Sequence, residues 1–108
     1  FVPLDERHDV IDAIVALKLP VIVVARAGLG TINHSTLTLR ELSTRGLEVR
    51  GVVLVCSSPG PDVSIRDNRA ELERRFPDVT FIGPVPFKRD AAQRAKAFDA
   101  AAAALLAG

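Results

Sequence analysis

Apolar positions along this chain fall into short continuous runs separated by longer mixed stretches. Val21 to Ala25 is unbroken, β-branched except at its end and introduced by Pro20, and Gly51-Val-Val-Leu-Val55 and Val79-Thr-Phe-Ile82 are runs of the same kind. Runs of this length suit strands covered on both faces, as in a parallel sheet. Between them the apolar residues are spaced as on helices: Val10, Ile11, Ile14 and Leu17, then Leu37, Leu39 and Leu42 among polar neighbours, then Ile65, Leu72 and Phe76. The alternation predicts an α/β fold of three parallel strands joined by right-handed crossovers.

Local punctuation agrees with that order. Asp9 is placed to cap a first helix, which should pack on the sheet. Gly28 and Gly30 flank Leu29 where the chain must turn, and Thr31, Asn33 and Ser35 can all cap the helix that follows, which Gly46 should end. Cys56-Ser-Ser-Pro-Gly-Pro-Asp-Val-Ser64 reads as a loop, and Gly83-Pro-Val-Pro86 should stop the third strand, because prolines cannot continue a central one. The tail from Asp90 to Leu106 is alanine-rich and predicts a thinly packed helix anchored by Phe98, Leu105 and Leu106, with Gly108 ending it.

Composition narrows the function. With 48% hydrophobic residues, 25% charged residues and a net charge of +1, neither disorder nor nucleic-acid binding is indicated. Five Phe with no Trp or Tyr argue against base-stacking platforms, and the single Cys56 excludes an internal disulfide framework. No stretch approaches the roughly 20 apolar residues of a membrane span. No signal peptide is visible, so the cytoplasm is the expected compartment. The 108 residues suit one domain, 1–108.

The chemistry-bearing candidates are few. A glycine turn opening a helix presents unpaired N–H groups at the positive end of a dipole, which suits a carboxylate or a phosphate. His8 reads as a solvated residue ahead of a helix, His34 as a packing residue and Cys56 as a small half-buried one. No nucleophile, acid pair or metal-ligand spacing accompanies any of them, so no catalytic or metal-binding residue is assigned. The stretch Leu29-Gly-Thr-Ile-Asn-His34, preceded by Leu19-Pro-Val-Ile-Val-Val24 and followed by Leu37-Thr38, closely resembles the dethiobiotin synthetases, over most of Phe1 to Phe87.

The resemblance implies a three-layer, doubly wound parallel sheet of the P-loop NTPase type, of which this chain is the carboxyl-terminal half. No Gly-x-x-x-x-Gly-Lys-Ser/Thr occurs in the sequence, and Phe1-Val-Pro-Leu4 opens in mid-element without Met. The activity implied is an ATP-dependent cyclo-ligase that carboxylates 7,8-diaminononanoate, phosphorylates the carbamate and closes dethiobiotin. ATP or another nucleoside triphosphate and Mg²⁺ would be held mainly by the other half, within a homodimer, so this chain alone should be inactive. On the same resemblance Gly30, Thr31, Ile32 and Asn33 bind the substrate carboxylate, and Asn68 reaches the substrate of the neighbouring subunit. Pro86, Phe87 and Lys88 contact the nucleotide base, as does Val55, where the family commonly has an adenine-reading Asn. Val55 offers no side-chain donor or acceptor, so the base should be discriminated weakly. The alternatives are a related amidoligase or phosphotransacetylase-associated domain, and a truncated module that only dimerises.

Overall fold

A computed structural model describes residues 2–60 and 64–107. The order is α1 (Val10–Leu17), β1 (Val21–Arg26), α2 (Thr31–Thr44), β2 (Val49–Val55), α3 (Ser64–Arg75), β3 (Phe81–Val85) and α4 (Ala91–Ala107). The strands are parallel and lie in the order β1-β2-β3. The expected α/β class is therefore found, with helices on both faces of the sheet. The middle of the Cys56–Ser64 loop, the terminal Gly108 and the Leu106 side chain lie outside what is described.

Alternation along β2 builds two cores. Val52 and Leu54 point to one face with Ala27, Leu39, Leu72 and Phe81, beneath α2 and α3. Val53 points to the other with Val85 and Ala101, and there α4 lies over β2 and β3 through Ala97, Ala101 and Leu105. Small residues let α4 approach closely: a Cβ on Gly51 would collide with the Leu105 side chain. Phe98 is not the anchor expected of it, being 44% exposed. The thin packing of α4 rests on Ala101 and Leu105 instead.

β1 departs from expectation. Its apolar run predicts cover on both faces, yet burial alternates along it, and Ile22 and Val24 are 50% and 61% exposed. Register pairs Ile22 with Gly51 and Val24 with Val53, so these side chains share the α4 face, and α4 stops short of them. Among the described residues β1 is an edge strand, paired with β2. The first helix does not lie on the sheet either. Only Ile11 of α1 is buried, Leu17 is exposed, and α1 is tied to the end of α2 by the Arg45 guanidinium, 3.2 Å from Asp12.

Helix ends follow local chemistry more closely. At the start of α1 the Asp12 carboxylate accepts the Asp9 N–H at 2.7 Å, which holds that carboxyl below its usual range with help from Arg45. At the end of α2, Gly46 takes φ +73, its N–H reaches the Ser43 carbonyl at 2.9 Å, and the Leu47 N–H reaches Leu42 at 3.0 Å. That is a Schellman closure, and it requires the left-handed residue that Gly46 supplies. α4 starts with the Asp90 carboxylate accepting the Gln93 N–H at 3.0 Å.

The third strand runs further than predicted, through Gly83 and Pro84 to Val85. Pro84 is tolerated because β3 is itself an edge strand, where a missing N–H costs no ladder bond. Arg69 on α3 binds this segment, donating to the carbonyls of Phe81 (3.1 Å) and Gly83 while its Nε pairs with Glu73 at 2.7 Å. Lower on α3, Glu71 accepts from Arg74 at 2.6 Å and Arg75 at 2.9 Å, and the two guanidiniums bring its carboxyl down to about 2.

Candidate functional site

Parallel strands expose their sites at their carboxyl ends, and two extra hydrogen bonds lock those ends here. The Ala27 N–H reaches the Val55 carbonyl at 2.8 Å, and the Cys56 N–H reaches Val85 at 2.9 Å. The turn after β1 and the segments after β2 and β3 are thereby held side by side.

The turn after β1 opens α2 differently from the expectation. Gly30, at φ +92, is the N-cap and provides no side-chain bond, so Thr31, Asn33 and Ser35 do not cap. Thr31 is already the first helical residue. It is buried, and its hydroxyl shares a hydrogen bond of 3.0 Å with that of Ser35, also buried. Ile32 is half-buried against the core. Asn33 and His34 are exposed. The Thr31 N–H goes to the Gly28 carbonyl and the His34 N–H to that of Gly30, while among the described residues the N–H groups of Ile32 and Asn33 have no partner. The turn therefore offers two free backbone donors and the Asn33 amide at the positive end of a 14-residue helix.

Asn68 arrives at the same turn from α3, but from below. It is buried, and its Nδ2 donates to the carbonyls of Ala27 at 3.1 Å and Gly28 at 3.0 Å. Both amide hydrogens are thus used within the chain, to hold the floor of the turn.

The second cluster lies at the ends of β2 and β3. Val55, Pro86, Phe87 and Lys88 all line one cavity of about 170 Å³, together with Cys56, Ser57, Val85, Arg94 and Phe98. The Arg89 guanidinium lies over the Phe87 ring, 5.8 Å from its centroid. Sequence reasoning missed Arg94 and Phe98. The signal available was their spacing, one turn apart on a single face of α4.

Other features carry less. A groove of about 360 Å³ runs along the bare edge of β1, lined by Val24, Arg26, Leu29, Thr31, His34 and Thr38 among others. A cavity of about 580 Å³ lies at the other end of the sheet, between the ends of α2 and α3. His8 is exposed, with Nδ1 3.1 Å from Asp5 Oδ1. Among the described residues no three His, Cys, Asp or Glu side chains gather as metal ligands. No described helix is long and apolar enough to cross a membrane.

A family model described as AAA domain matches residues 1–95. The chain is 46% identical over 98 residues to a protein of Anaeromyxobacter dehalogenans strain 2CP-1 named ATP-dependent dethiobiotin synthetase, covering 88% of this chain and 42% of that one. It is 40% identical over 85 residues to the protein of that name in Bacillus subtilis strain 168, covering 79% and 36%. A Bordetella avium protein named biotin biosynthesis bifunctional protein is 44% identical over 86 residues, covering 80% and 17%. The resemblance seen in Leu29–His34 is borne out. The chain spans less than half the length of these relatives.

Proposed function

The chain belongs to the AAA domain family, and from that premise we propose that it forms part of an ATP-dependent ligase that makes dethiobiotin from 7,8-diaminononanoate and CO₂ in biotin biosynthesis. The observation that carries this reading is the gathering of Val55, Pro86, Phe87 and Lys88 around one cavity at the strand ends, in a chain 46% identical to a dethiobiotin synthetase. The cavity receives the nucleotide base against Phe87 and Val55. The nucleotide, when bound, supplies the phosphoryl group that activates the carbamate.

Gly30, Thr31, Ile32 and Asn33 take the other end of the reaction. The free N–H groups of Ile32 and Asn33 and the Asn33 amide hold the substrate carboxylate, an anion at a helix N-terminus. Ile32 contributes through its backbone N–H, since its side chain packs against the core, and Thr31, whose own N–H is bound to the Gly28 carbonyl, contributes by shaping the turn. Asn68 serves substrate binding indirectly, by fixing the carbonyls of Ala27 and Gly28 and so the aim of the turn. None of the 108 residues is assigned a catalytic role, and Mg²⁺ and the phosphates are held by residues outside this chain. The assembled enzyme is a cytoplasmic homodimer in this reading.

Isothermal titration of 7,8-diaminononanoate and of ATP into wild-type protein and Asn33→Ala tests it. Losing one donor to a carboxylate should cost about 1–3 kcal/mol, roughly a fivefold to hundredfold rise in the substrate's Kd. ATP affinity should be unchanged. Equal substrate binding by the variant, with ATP weakened, would assign the turn to the nucleotide instead.

A further inference from the structure

We propose that Arg69 is a positioning residue of the nucleotide-base site: its guanidinium clamps the backbone of β3 and so sets the aim of Pro86, Phe87 and Lys88. The inference rests on the nucleotide reading of the Val55 cavity. It concerns what holds that wall in place, since Arg69 itself does not line the cavity.

The wall follows a break in the sheet. β2 and β3 pair Val53 with Ile82 and then Val55 with Val85, so Gly83 and Pro84 together stand opposite Leu54 alone. Two residues against one is a bulge, which bends the strand and interrupts its ladder. Pro84 has no N–H to give, and Gly83 passes so close to the Leu54 carbonyl that a Cβ would collide with it. Beyond the bulge β3 has one paired position, Val85, whose carbonyl accepts the Cys56 N–H at 2.9 Å. Pro86, Phe87 and Lys88 follow at once and line the cavity.

Arg69 holds the strand from α3 at that break. Its Nη2 donates to the Phe81 carbonyl at 3.1 Å, its Nη1 to that of Gly83, and its Nε to the Glu73 carboxylate at 2.7 Å. The two carbonyls flank Ile82, so the fork spans the last regularly paired residue and reaches the first bulged one. Glu73 lies one turn further along α3 and fixes the plane of the guanidinium, which aims the remaining donors at the strand.

The body that carries the clamp is itself fixed. α3 is seated in the core by Leu72, which is wholly buried against Val52, Leu54 and Phe81 among others. Asn68, the residue before Arg69, braces the turn after β1 by the same means, a side chain donating to two backbone carbonyls. Consecutive positions of one helix thus secure both segments that the proposed ligands would meet. Releasing Arg69 frees β3 at its bulge, and the loss is felt by the residues that follow.

The test is an NMR titration of ¹⁵N-labelled chain with adenosine, whose lack of charge means that removing a cation does not by itself change its attraction. In wild type the amides of Val55, Phe87 and Lys88 should shift. In Arg69→Ala the heteronuclear NOEs of Phe87 and Lys88 should fall in the free protein, and Kd should rise about five- to thirtyfold, because binding must then re-order at least one backbone residue. Arg69→Lys keeps the charge and loses the fork, so its Kd should rise at least about threefold. Gly46→Ala, which loosens the opposite end of the sheet, should bind within about twofold of wild type and so separates lost stability from lost aim. Spectral dispersion checks each variant's fold, and Arg69→Lys decides alone should Arg69→Ala not fold. Binding by either Arg69 variant within about twofold of wild type, Phe87 and Lys88 amides as ordered as before, or an equal loss in Gly46→Ala would overturn the inference and leave the nucleotide reading intact. If adenosine moves none of these amides in wild type, both fall.

Discussion

Replacing Asn68 by Ala probes whether that side chain builds the β1–α2 turn or meets a ligand. In the fold it is a tether: one amide group, 8% exposed, donates to two carbonyls across 41 and 40 residues of chain. Ala27 is wholly buried, so its oxygen would lose its side-chain partner beyond the reach of water. A buried acceptor left unpaired costs about 1–3 kcal/mol, and the half-exposed Gly28 carbonyl, which water can reach, about 0.5–1 kcal/mol. The sum, about 1.5–4 kcal/mol, is a large share of the roughly 5–15 kcal/mol that holds a domain folded. Urea unfolding reads it directly: with a slope of about 2 kcal/mol per molar, the midpoint should fall by about 0.7–2 M. Asn68→Asp sharpens the test, because an ionised carboxylate would face two carbonyl oxygens with nothing to donate. It should destabilise at least as much at neutral pH and recover relative to wild type on acidification, when the protonated carboxyl regains one donor. A midpoint shift below about 0.3 M for Asn68→Ala, or an Asp variant indifferent to pH, would show that these bonds contribute little and that the structural reading of Asn68 is mistaken.

Three further substitutions probe the framework. Glu71 has its folded pKa lowered to about 2 from 4.5 by Arg74 and then Arg75, so its pairing stabilises fully above pH 4.5 and is lost as pH falls toward 2. Glu71→Gln should flatten the loss of stability across that window in acid titrations followed by circular dichroism, and added salt should shrink the difference, since the arginines are on the surface. An unchanged acid profile would deny the pairing any role in stability. Gly83 holds φ +105, and a Cβ there would collide with the Leu54 carbonyl and stand 2.8 Å from the Val85 nitrogen. Gly83→Ala should therefore cost about 2–4 kcal/mol, and lower Tm by at least about 8 °C. Gly46→Ala, at φ +73 with no atom within 4 Å of its Cβ, should cost only about 1–2 kcal/mol. Equal Tm values for the two alanine variants would contradict the packing assigned to Gly83.

What the amino-acid order determined alone is what neighbouring residues decide among themselves. The order of strands, helix spacing, the glycine closing α2 at Gly46 and the polar start of α1 at Asp9 depend on backbone and side chains a few positions apart, and they appear in the structure as the sequence places them, although β3 runs over Phe81–Val85 and not Val79–Ile82. The same holds for the turn at Gly30, whose free N–H groups follow from a helix beginning there. Cover over a strand is another matter. Val21 to Ala25 reads as apolar on both sides, but whether Ile22 and Val24 are buried depends on what packs on them, and here α4 reaches only β2 and β3. Asn68 reads, on the resemblance, as a contact to a neighbouring subunit's substrate, and nothing within α3 announces its acceptors, which belong to the end of β1. Phe98 reads as an anchor of the tail helix and Arg94 carries no assignment until the docking of α4 sets them beside Val55 and Phe87. Local conformation is chosen by short-range sterics and hydrogen bonds, whereas burial and pocket membership are chosen by which distant surfaces meet.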